Sequence, residues 1–178
     1  KEKKIPVTIF GVGLALQQNP EVCEALKKGN YEIAAHGYRW IDYQDIKKPV
    51  EKKHMQQAIK IIKDIFGSRP LGWYTGRCSP NTRDLVFEEG GFLYDSDSYS
   101  DDLPYWELKG KKKQLIIPYT LDNNDMRFAT NQGFNTTEDM MLAIAKEVLK
   151  TAPWGLAWRV STGAFLSIPD MVTDLNMI

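Results

Sequence analysis

Residues 70–97 read "PLGWYTGRCSPNTRDLVFEEGGFLYDSD". Trp73, Tyr74 and Thr75, an aromatic and β-branched run closed by Gly76, predict a strand over 70–77. Residues 79–91 predict a helix opened by Ser79 or Asn81. From Phe92 onward aromatic and apolar residues return in a second strand, which runs into the acidic loop "SDSYSDD". Strand, helix and strand in such quick succession form a βα unit with parallel strands, either in a barrel or in an open sheet. In both architectures chemistry gathers at the carboxyl ends of the strands.

The flanking sequence repeats the pattern. "IPVTIFGVG" (5–13) predicts a buried strand ending in a strand-to-loop turn, because its GxG lacks the third glycine and the acidic partner of a dinucleotide site. "NPEVCEALKKGN" (19–30) predicts a helix with Asn19 as N-cap, Pro20 in its first turn, and Val22, Ala25 and Leu26 on its apolar face. "YEIAAHG" (31–37) is the next strand. Residues 47–67 are an amphipathic helix with Met55, Ala58, Ile59, Ile62 and Phe66 at three- and four-residue spacing. "QLIIPYTLDNND" (114–125) is a further strand. Residues 136–153 form a helix capped by Thr136 or Thr137, and the atypical tail 151–178 carries one expected strand at 155–160.

Composition bounds the function. Of 178 residues, 43% are hydrophobic, and the 23 basic residues balance the 23 acidic ones. Zero net charge gives no support to a nucleic-acid partner or a polybasic membrane role. The short runs "KEKK" and "KGKKK" read as a solvated end and a hairpin or loop tip. No apolar run has membrane-span length, and the amino end lacks a signal-peptide pattern. Cys23 and Cys78 stand far apart, so a reducing, cytoplasmic setting is expected. The chain opens without Met in a strand-like segment, as a fragment would.

Several polar residues fall at predicted strand ends: His36, Arg77, Asp95 and Asp97, and the 122–125 cluster. Such convergence on one rim favours a site over isolated structural residues. His36 is followed by Gly37, which permits a turn or a close ligand approach. The residue four positions beyond His36 is Trp40, so a metal-binding histidine pair is missing, and no bound metal or cofactor is expected. Aromatics in "YRWIDYQD" suit stacking on a planar ligand. Arg77 can clamp a carbonyl or carboxylate through its planar fork, against the alternative of a surface pair with Asp84 or Glu88. Asp95 and Asp97 alternate and face one side, and paired carboxylates push one pKa up. Arg83 reads as structural and His54 as solvated.

"AAHGYRW", "GWYTGRCSPNTR", "EEGGFLYDSDSYSDDLPYW" and "PYTLDNNDMRF" together resemble the urate-catabolism allantoinases of the polysaccharide deacetylase superfamily. The resemblance covers about residues 5–150 of what is expected to be a single domain, 1–178. It implies an α/β fold, a distorted (β/α) barrel of the polysaccharide deacetylase type, incomplete at both ends. Metal-dependent members carry a second histidine at the position of Trp40, and the allantoinase branch works without a metal. The implied reaction opens the hydantoin ring of allantoin to allantoate. By the same resemblance His36 and Trp40 line the pocket, Arg77 holds a substrate carbonyl, Asp95 or Asp97 shapes or polarises the site, and Asn124 and Asp125 contact the ureido group. The partner expected is a small ureide, with self-association into a homo-oligomer through an open sheet edge. A metal-dependent carbohydrate N-deacetylase and a non-catalytic remnant are the alternatives.

Overall fold

The computed structural model describes residues 7–151 apart from Asp102 and Asn123. The "KEKK" run, the expected strand at 155–160 and the tail beyond Thr151 lie outside the described residues. The elements are β1 (Thr8–Gly11), α1 (Gly13–Gln18), α2 (Pro20–Gly29), β2 (Glu32–Ala35), α3 (Lys48–Phe66), β3 (Gly72–Trp73), α4 (Thr82–Glu89), β4 (Tyr94–Asp95), β5 (Tyr105–Lys109), β6 (Lys112–Ile116) and α5 (Thr137–Thr151). A 3-10 helix spans Asp125–Ala129.

The strands form one sheet in the order β1-β2-β3-β4-β6-β5. β2, β3, β4 and β6 run parallel, and β5 closes antiparallel on β6. This is the α/β architecture with a mostly parallel sheet that the strand–helix alternation predicts. Two elements differ from the sequence reading. The segment after Gly11 is a helix, α1, not a loop. β5 is an additional edge strand, and the "KGKKK" run is the tip of its hairpin, where Gly110 turns with a φ of 62°.

Two compact units divide the chain, and each is described separately. Residues 9–98 and 105–117 form the unit that carries nearly all of the sheet. Its core gathers Met55, Ala58 and Ile62 of α3 with Trp73, Leu85 and Phe92. The spacing of the apolar positions on α3 puts them on one stripe, and each large side chain so buried contributes roughly 1.5–3 kcal/mol. On α2 Cys23 is buried and Leu26 packs partly buried against the core as expected, while Val22, 52% exposed, and Ala25 face outward. Asn19 precedes α2 but does not cap it; its amide donates back to the Ala15 carbonyl (2.7 Å). Nor does the Asn81 side chain cap α4.

Close approach explains one glycine. Gly72 on β3 faces Tyr94 on β4, and a Cβ there would lie 2.0 Å from the Tyr94 ring. Without it, the Tyr94 ring lies across β3, and its hydroxyl donates to Glu32 on β2 (3.1 Å). One side chain thereby ties three parallel strands.

The second unit comprises residues 1–8, 99–104 and 118–178. Within it Phe134 is buried beside Phe128, and the Arg127 guanidinium lies 4.5 Å from the Phe134 ring centroid. Thr136 accepts from the Asp139 N–H (3.1 Å), while the Asp139 carboxylate accepts from the Thr136 N–H (3.1 Å), a reciprocal cap at the start of α5. Among the described residues no helix is long and apolar enough to cross a membrane.

Candidate functional site

Because β2, β3 and β4 are parallel and adjacent, the residues just beyond Ala35, Trp73 and Asp95 share one edge of the sheet. The His36 N–H donates to the Gly11 carbonyl at the end of β1 (2.8 Å). Gly37 then turns the chain with a φ of 69°, a left-handed conformation that glycine adopts without strain. Its carbonyl and that of Tyr38 accept from the N–H groups of Gly13 and Leu14 at the start of α1 (2.9 and 3.0 Å). The unexpected helix α1 is thus the brace of the histidine loop.

The His36 ring lies 5.1 Å from that of Tyr74, and its Nδ1 is buried with no protein partner among the described residues. Burial lowers its pKa, and the Asp97 charge and nearby backbone groups offset this only in part. The imidazole is therefore neutral near pH 7.

Trp40 and Arg77 stand together on the exposed side. The guanidinium carbon of Arg77 is 5.1 Å from the Trp40 ring centroid, and Trp40 is 68% exposed. The alternative surface pairing of Arg77 does not occur: Glu88 binds Lys48 and Lys52, and Asp84 binds Lys109. The loop bearing Arg77 is held from below. The Asp97 carboxylate accepts from the Thr75 N–H (3.0 and 2.9 Å), the Thr75 hydroxyl (2.8 Å) and the Gly76 N–H (2.8 Å). A carboxylate with its lone pairs so occupied holds the 75–76 loop in place.

Asp95, expected beside Asp97 as a catalytic carboxylate, is fully buried. It binds Arg83 (2.7 Å) and accepts from the Asp97 N–H (2.9 Å). Burial first, then the Asp97 charge, raises its pKa to about 7 against the opposing pull of Arg83. Arg83 also donates to the Asp97 carbonyl (2.9 Å) and approaches Glu107 (3.5 Å), so it joins α4 to the segment after β4 and to the middle of β5. Both aspartates thus face protein partners.

Asn124 and Asp125 lie in the other unit. The Asn124 side chain accepts from the Met126 N–H (2.8 Å) and donates to the Tyr119 hydroxyl (2.6 Å), while Asp125 is exposed at the start of the 3-10 helix. Cys78 is no reactive thiolate, since burial and the Asp97 charge both push its thiol pKa up.

One feature was misread in the sequence and one went unread. His54, expected to be solvated, is half-buried: its Nδ1 lies 3.2 Å from the Tyr43 hydroxyl, and its ring sits against Tyr38 and Tyr43. Glu51 is buried at 2% exposure. Its signal was a carboxylate on the same stripe as Met55, Ala58 and Ile62.

Trp40 offers no lone pair where a second histidine would bind. Among the described residues no group of three or more His, Cys, Asp or Glu side chains is placed to hold an ion.

Residues 1–85 match the family model described as polysaccharide deacetylase. A Schizosaccharomyces pombe protein named as a polysaccharide deacetylase is 37% identical over 155 residues, which are 78% of this chain and 48% of that protein. Among solved structures, PuuE allantoinase matches with a TM-score of 0.80 and 45% identity, covering 99% of this chain and 61% of that one. A Pseudomonas aeruginosa structure assigned to the polysaccharide deacetylases matches with a TM-score of 0.80 and 44% identity over the same shares. The chain spans about half the length of the curated relative and 61% of each of these two structures.

Proposed function

The family model and the relatives support the polysaccharide deacetylase superfamily for this chain, and from that premise we propose that it forms part of a hydrolase that opens a cyclic amide, with allantoin as substrate and allantoate as product. The carrying observation is that the Arg77–Trp40 pair and His36, whose pKa burial lowers, lie on the loops that follow the adjacent parallel strands β2 and β3. The likeness to PuuE allantoinase at 45% identity supports the choice of ring.

The chemistry follows from the side chains. A hydantoin ring is flat and rich in carbonyls, so it can stack beside the indole while the guanidinium donates to a carbonyl oxygen. Water attacks the ring carbonyl carbon, and negative charge grows on that oxygen, where the fork of Arg77 stabilises it. The C–N bond then breaks, the carbonyl carbon keeps the water oxygen as carboxylate, and the departing nitrogen takes a proton. A neutral imidazole can accept the proton of the attacking water, the role proposed for His36. Asp97 and Asp95 hold the loops and touch no reacting atom in this scheme.

The test is a paired assay on the protein that carries this chain: allantoate formed from allantoin, and acetate released from an N-acetylated oligosaccharide, each with and without chelator. Allantoate formation unaffected by chelator supports the proposal. Chelator-sensitive acetate release without allantoate formation would assign the chain to the carbohydrate N-deacetylases instead.

A further inference from the structure

Arg77 lies between anchors that sequence reasoning did not reveal. Before it, Asp97 binds Thr75 and Gly76. At Arg77 itself, the carbonyl accepts from the N–H of buried Tyr43 (3.0 Å), whose hydroxyl meets His54 of α3. After it, Glu51 of α3 accepts from the Ser79 hydroxyl (2.5 Å) and from the Thr82 hydroxyl. Those hydroxyls fold the turn in their own right: the Ser79 oxygen accepts from the Asn81 N–H and the Thr82 oxygen from the Ser79 N–H (both 2.8 Å).

A carboxylate at 2% exposure is costly for a helix that needs only packing there. An apolar residue would continue the α3 stripe and leave two hydroxyls to find other acceptors. Glu51 instead fixes where the chain goes two residues after Arg77, on the same helix that fixes Tyr43 through His54. We infer that Glu51 is a positioning residue for Arg77: through Ser79 and Thr82 it sets the 77–82 turn so that the guanidinium stands over Trp40. The geometric part stands on the contacts alone, and the consequence for activity rests on the function proposed above.

The test uses Glu51→Gln, Glu51→Leu and Thr82→Val. The first readout is the Arg77 side-chain Nε–Hε resonance, assigned by its absence in Arg77→Lys, whose position carries the ring-current shift of Trp40. Glu51→Gln keeps an acceptor for one hydroxyl and turns its amide N–H to the oxygen of the other, so it retains most of that shift. Glu51→Leu loses it, and Thr82→Val, which removes one hydroxyl without changing shape, reduces it. The second readout is kcat/KM for allantoin, expected to fall about tenfold or more in Glu51→Leu and to be largely restored in Glu51→Gln. An unchanged Arg77 resonance in Thr82→Val and in a folded Glu51→Leu overturns the inference, even if melting temperature falls. If Glu51→Leu does not fold, Thr82→Val decides alone. If the wild type shows no ring opening but the resonance responds as described, the proposed function fails and the positioning role stands.

Discussion

Asp95→Asn gives a pH signature that separates burial from ion pairing. The carboxyl is fully buried, and its pKa rises from 3.8 to about 7. The native state therefore holds a proton that the unfolded chain has released between those values. A raised pKa contributes stability that is complete below 3.8, diminishes through the window and is gone above about 7. At about 1.4 kcal/mol per pH unit the whole effect is on the order of 4 kcal/mol. Asparagine does not titrate, so the variant lacks this contribution. Urea unfolding of both proteins, followed by tryptophan fluorescence, to which Trp73 at 2% exposure contributes, measures it. On going from pH 8 to pH 4 the wild type should gain on the order of 4 kcal/mol relative to Asp95→Asn. A wild-type-minus-variant difference that stays flat across this range would mean that Arg83 keeps Asp95 ionised and that the burial argument is wrong.

Two other expectations concern the metal and the sheet. Chelator treatment should leave allantoin hydrolysis unchanged, because Trp40 cannot ligate; activity lost to chelator and restored by one divalent ion would contradict this. Gly72→Ala should destabilise the fold by about 1–3 kcal/mol, because the new methyl meets the Tyr94 ring; urea midpoints measure it, and a midpoint equal to that of the wild type would show that the ring moves aside freely.

The alternating elements were legible because their apolar periodicities are strong. Helix α3 shows it best, with Met55, Ala58 and Ile62 falling where the 3.6-residue period puts them. Where the chain leaves a regular element early, the sequence was less informative. β3 ends at Trp73 although Tyr74 and Thr75 favour strands: the Tyr74 N–H still donates to the Ala35 carbonyl (3.0 Å), but those of Thr75 and Gly76 turn to the distant Asp97 carboxylate. β5, "YWELK", carries too little apolar alternation to announce an edge strand. α1 was obscured by Gly11 just before it and Gly13 at its start, and its helical state rests on contacts with Gly37 and Tyr38. His36, Trp40 and Arg77 could be singled out from residue type and strand-end position. Their support was legible only in part: Asp97 stood out at a strand end and Glu51 falls on the apolar stripe of α3, but the partners of both, and of Tyr43, lie far away in sequence and could not be read from it. The Arg83–Asp95 pair, 12 residues apart, is of the same kind.

The decisive measurement is kcat and KM for allantoin in Arg77→Lys against wild type, in the protein that carries this chain. Lysine keeps the charge and loses the planar fork. If Arg77 stabilises the oxygen that gains charge, kcat should fall by about 10²–10³ with a smaller change in KM, while the urea midpoint stays near the wild-type value because the side chain is exposed. Wild-type turnover of allantoin by Arg77→Lys would contradict the site as drawn.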